Sequence, residues 1–171
     1  ANTDVLITLS RGQRYYPSFI LQRMICTVRD EKSYAGVLFS RHSQLGNGYQ
    51  LQTGRDIFGE EIMTGTIAPD ETAFKERSAI KEDFPAVYHF VPNLKDLERE
   101  FESPVTIEFA AEVLGGHEFF ALLQLNNMAM TGRAAFISVV DLHKEGTISR
   151  KRLAELVCPY HVKQIESDTI D

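Results

Sequence analysis

Glu108 and Gln124 are the side chains whose types and placement point most directly to chemistry. They lie in the stretch VTIEFAAEVLGGHEFFALLQLNN, residues 105–127. A strand-forming apolar run there carries Glu108 in its middle, turns at Gly115-Gly116 and returns as a second apolar run ending in Gln124 and Asn126. Two such runs joined by a glycine turn predict a hairpin, in which alternate side chains share a face and opposite positions come close. A carboxylate and a carboxamide on one such face can hold a cation or a polar ligand. They can equally be two wet edges of a sheet, and a register slip of one residue would separate them.

The elements that must position this pair are strands first and helices last. FILQRMICTVRD (19–30) is rich in aliphatic and β-branched residues, and EKS breaks it from a second run, YAGVLFSRH, so a two-strand ribbon is expected. A Gly/Asn turn precedes a short strand at 49–53 and an apolar stretch around 57–63. The charged segment 69–83, PDETAFKERSAIKED, reads as an exposed loop or short helix with a solvated face. Pro92-Asn93 opens a helix with Asn93 as cap and Leu94, Leu97 and Phe101 on one face, and Pro104 ends it. After the hairpin, Ala134, Ala135, Ile137, Val140 and Leu142 line a helix closed by Gly146; Ser149 caps a last one that Pro159 stops. The order gives an α+β fold, an antiparallel sheet with flanking helices and a C-terminal helical segment.

Composition bounds the reading. The chain has 171 residues, 43% of them hydrophobic, enough for one core or two small ones without covalent staples. Two distant cysteines, Cys26 and Cys158, form no metal or disulfide pattern and fit a reducing, cytoplasmic setting. No apolar run approaches the roughly 18–20 residues of a membrane span, and no basic-then-apolar leader is present. The absence of an initial Met makes the chain read as a piece of something longer. A formal charge of −6 argues against nucleic acid or acidic membrane as partner. The five histidines show no metal spacing, and neither glycine cluster has the phosphate-loop pattern with its Lys.

Three ordered stretches resemble the nucleotide-binding region of pyruvate phosphate dikinase and its relative phosphoenolpyruvate synthase. ILQRMICTVRDEKSYAGVLFSRHS is similar to the family's strand with Gln and then Met, followed by a Gly-Val-x-Phe-Thr-Arg-Asn-Pro strand and turn. FGEEIMTGTIAPDE is similar to its Gly-Glu-Asp/Ser-Val-Val-x-Gly segment. VTIEFA with FFALLQLNN resembles a strand carrying Asp-x-Glu and a return strand ending Leu-Gln-x-Arg. The helices after the hairpin also resemble the dikinase, so the likeness runs from about Ser18 onward.

The resemblance implies the C-terminal part of an ATP-grasp nucleotide-binding domain, residues 1–127, with a helical extension, 128–171, toward a phosphohistidine domain. By match it assigns Glu108 to Mg²⁺, and Gln22, Met24, Arg41, Glu60 and Gln124 to ATP. Its implied partners are the N-terminal ATP-grasp lobe and the phosphohistidine domain of a parent chain; alone, the piece is expected not to catalyse. The chemistry needs a carboxylate holding Mg²⁺ against the β- and γ-phosphates while cationic or amide donors hold the rest. Plainer roles stand beside these: Met24 as core, Arg41 pairing a surface acid, Glu60 and Glu61 in a solvated loop. Thr106 stands where the family has its other acid and Asn126 where it has Arg, so a carboxylate and a bidentate cationic donor are both replaced. His42-Ser43 replaces Asn-Pro, and Phe58 a smaller or polar residue. The alternative is therefore a degenerate ATP-grasp scaffold or regulatory nucleotide module.

Overall fold

The computed structural model describes residues 21, 23–28, 30–57, 61–62, 64–157, 162–163 and 165. Its centre is a five-stranded antiparallel sheet in the order β3-β2-β1-β4-β5. The strands are β1 (Tyr34–Phe39), β2 (Tyr49–Arg55), β3 (Asp70–Phe74), β4 (Val105–Leu114) and β5 (His117–Asn127). A 3-10 turn at Arg77–Ile80 and the helices α1 (Pro85–Phe90) and α2 (Asn93–Phe101) fall between β3 and β4. Helices α3 (Gly132–Lys144) and α4 (Arg150–Leu156) follow β5. The fold is α+β, as the order of periodicities in the sequence requires.

One sheet face carries the core. Tyr34 and Leu38 of β1, Leu51 of β2 and Ile107 and Phe109 of β4 are buried against Val87 of α1 and Leu94 of α2. Ring stacking of Phe120 on Phe90 and Phe109 extends that layer to β5. Each fully buried large side chain there contributes on the order of 1.5–3 kcal/mol. Gly36 lies centrally in β1, where any Cβ would collide with the Gln52 carbonyl oxygen of the adjacent strand. Smaller clusters lie elsewhere: Val37, Ile57 and Ile62 on the opposite face, and Val139, Leu142 and Ile148 between α3 and α4.

Several elements differ from expectation. Among the described residues of 19–30 there is no strand; both edges of β1 are taken by β2 and β4, leaving no edge for that segment. It is held by side chains instead, Thr27 Oγ1 donating to the Ile57 carbonyl and Arg23 Nη2 to Glu112 Oε2 at 2.6 Å. The charged segment 69–83 contains β3, a short edge strand whose polar side chains suit an exposed margin. Asn93 lies inside the first turn of α2, with Pro92 at the cap position, and its amide donates to the Phe90 carbonyl. Thr131 and Ser149 cap α3 and α4, accepting from Ala134 N and Arg152 N. Pro159 lies outside the described residues. Among those described, no helix is long and apolar enough to cross a membrane.

Candidate functional site

Glu108 stands directly opposite Gln124 in the β4–β5 hairpin. The turn at Gly115 and Gly116 has φ of 61° and 79°, values that glycine adopts without strain. Counting back from the turn in simple alternation, however, Glu108 would meet Leu123 and Gln124 would face the core beside Ile107. A bulge between Glu108 and Phe109 leaves Leu123 without a pairing partner and turns Gln124 and Asn126 to the Glu108 face. A row of opposed residues then crosses the sheet: Glu71, Gln52, Val37, Glu108 and Gln124.

Beside this row lies a cleft of about 550 Å³. Phe39, Ile62, Ile67 and Pro69 supply apolar lining, while Gln52, Glu71, Thr106, Glu108 and Asn126 supply polar groups. Gln124 joins through a hydrogen-bonded chain: its Nε2 donates to Asn126 Oδ1 at 2.9 Å, and Asn126 Nδ2 donates to Glu108 Oε1 at 3.1 Å. Thr106 and Asn126 stand opposite each other in register. On the other side, Gln52 Nε2 donates to Glu71 Oε1 at 2.6 Å. No Lys, Arg or His is among the described residues lining the cleft.

The donor set bears on a metal. Glu71 and Glu108 lie three strands apart, roughly 14 Å at the usual strand spacing, too far to share one ion. No group of three or more His, Cys, Asp or Glu among the described residues can hold a metal. One carboxylate with a neighbouring hydroxyl does suit Mg²⁺ that arrives on a nucleotide, because Mg²⁺ keeps several waters and takes the rest of its shell from phosphates. Glu108 and Thr106 are the residues that would meet it.

The remaining predicted residues are not gathered here. Arg41 lies past the end of β1, and its guanidinium is bound by two carboxylates. Nε and Nη2 reach Glu98 Oε1 and Oε2 at 2.8 Å each, and Nη1 and Nη2 reach Glu145 Oε1 and Oε2 at 3.1 Å each. Burial opposes the Arg41 charge, but the bonds to Glu98 and then Glu145 outweigh it and hold its pKa above the ordinary arginine value. Met24 is exposed beside Arg23, whose partner Glu112 is buried on the Glu108 face four residues further along β4. Met24 is therefore not core. Gln22 and Glu60 lie outside the described residues.

Sequence reasoning missed Gln52, Glu71, Glu98, Glu112 and Glu145. Glu98 had a signal: it follows Leu94 by four residues on the apolar stripe of α2, so a buried acid was readable there and its need for a cation with it. Gln52 and Glu71 had none, since they acquire meaning only through the register of β1, β2 and β3.

No protein-family model matches the chain. It is 27% identical over 150 residues to pyruvate, phosphate dikinase 1, chloroplastic, of Oryza sativa subsp. japonica, covering 85% of this chain and 15% of that protein. The same identity over 150 residues relates it to pyruvate, phosphate dikinase 1, chloroplastic, of Arabidopsis thaliana and pyruvate, phosphate dikinase 2 of Zea mays, covering 14% and 16% of them. The chain thus spans about one-seventh of the curated relatives it matches.

Proposed function

We propose that this chain is part of a pyruvate phosphate dikinase-like phosphotransferase, and that it forms the carboxylate-bearing wall of an ATP-grasp nucleotide site. The observation that carries the reading is Glu108 opposed to Gln124 on the cleft face of the sheet, in a chain with distant dikinase likeness over most of its length. In this role Glu108 would hold Mg²⁺ that comes with the nucleotide, while the Gln124–Asn126 amides fix the carboxylate in place. When bound, the metal would supply charge neutralisation for the transferring phosphoryl group. The cleft's described lining has no cation of its own, so cationic donors come from an N-terminal lobe of the parent protein. The parent would use ATP to phosphorylate a carrier histidine on a further domain.

Titrating Mg·ATP into the complete nucleotide domain of the parent tests this. Micromolar affinity that falls at least about tenfold in Glu108→Gln supports it, whereas affinity unchanged by that substitution overturns the assignment of Glu108.

A second reading, a scaffold or regulatory nucleotide module, is favoured by one observation: Asn126 donates to Glu108 where the resembling family carries Arg. Absence of Mg·ATP binding by the complete domain leaves only the scaffold.

A further inference from the structure

A second cavity, of about 320 Å³, opens where the end of β1, the start of α2 and the end of α3 meet. It shares no lining residue with the Glu108 cleft. Three cations, Arg41, Lys75 and Lys95, converge on it with two acids, Glu98 and Glu145, and Asn47 lies at the same cavity. Lys75 and Lys95 are exposed, and Lys95 lies near enough to Glu145 to help Arg41 hold its carboxyl in the charged form. The two acids are unequal. Glu98 has a side chain 4% exposed and binds one edge of the guanidinium at 2.8 Å; Glu145 is 40% exposed and binds the other edge at 3.1 Å.

We propose that this cavity is a phosphate-binding site, with Glu145 as the resident carboxylate that an incoming phosphate displaces from Arg41. The outer guanidinium edge offers two parallel N–H donors, the geometry that takes a carboxylate or a phosphate alike. Glu98 stays in place, fixing Arg41 and neutralising it in the unliganded protein. Displacing Glu145 costs little beside displacing Glu98, because its half-exposed carboxylate is screened by solvent and returns to water when it leaves. Once Glu145 swings out, Arg41, Lys75 and Lys95 leave a surplus of two positive charges over Glu98, enough to balance a phosphate dianion. Glu145 is the C-cap residue of α3 and its side chain is already part-exposed, so it has room to rotate outward without disturbing the helix. The site is independent of the nucleotide reading.

The test is calorimetric titration of the chain with inorganic phosphate, and separately with glycerol phosphate, at constant ionic strength. Glu145→Gln removes the competing charge and is expected to tighten binding about tenfold. Adding Lys75→Gln and Lys95→Gln to that variant is expected to abolish it, with melting curves confirming that each variant is folded. Binding of inorganic phosphate identifies a site for the free anion, and binding of the ester alone identifies a site for a phosphate carried on a larger molecule. Failure of both probes to bind Glu145→Gln overturns the proposal, as does affinity insensitive to the two lysine substitutions. Glu108→Gln leaves phosphate binding here unchanged, which separates this site from the nucleotide cleft.

Discussion

Asn126 governs how much of Glu108 is available to a ligand. Its amide engages one carboxylate oxygen, and its neighbour across the hairpin, Thr106, cannot supply a second charge. Thr106→Asp with Asn126→Arg places an acid for the cation and a bidentate donor for the phosphates. In the complete nucleotide domain this double variant is expected to bind Mg·ATP about tenfold tighter, read by titration. Glu145 gives a pH test. Its bond to Arg41 holds its carboxyl below the ordinary 4.5, so its stabilising effect is present above that value and is lost as pH falls through the folded-state pKa. Because the side chain is 40% exposed, the effect stays under about 1 kcal/mol. Urea unfolding of the protein and of Glu145→Gln should differ slightly at pH 7 and converge in the acid range below 4.5. At this scale Glu108 and Gln124 were legible because an acid and an amide interrupt apolar strands. A buried acid at Glu98 was readable from its stripe, but that Arg41 would meet it and Glu145 was not, since they lie 57 and 104 residues away and only folding brings them close.

The Arg41–Glu98 pair also joins elements, fastening the end of β1 to the buried stripe of α2, while Glu145 brings in α3. Glu98→Ala removes the more buried of the two carboxylates and leaves Arg41 with Glu145 alone, so it is expected to cost more in urea unfolding than Glu145→Gln, on the order of 1–3 kcal/mol. The hairpin depends differently on its turn. Gly116 has open space where a Cβ would go but a φ of 79°, so Gly116→Val should cost about 1–2 kcal/mol through backbone strain alone. The hairpin, the Ser149 cap and the late helices were readable from glycine, serine and apolar spacing, which act locally, whereas the cap expected at Asn93 fell one residue earlier, at Pro92. Strand β3 was not, because a margin strand with one wet face has the composition of a loop. The segment before β1 was misread for the opposite reason: its residues favour strand, but the edges it needed were occupied.

For the molecule as a whole, the proposed nucleotide site has a single wall here with no cation among its described lining residues, so the chain by itself should show no ATP turnover above a buffer blank in a phosphate-release assay. Sustained turnover would contradict a division of labour with another lobe. Sequence length and pattern were sufficient for the α+β class, yet the assembly of the polar row needed the pairing of all five strands. That row rests on Leu123, the unpaired residue of β5. It works as a parity bit: the hairpin's arms have a reading frame, and one extra residue sets which amides are read on the cleft side. A single-codon deletion at Leu123 would absorb the bulge and still leave Gln124 opposite Glu108 in plain alternation, whereas a ladder that ran without the bulge at the present length would turn both amides inward and bring apolar groups out.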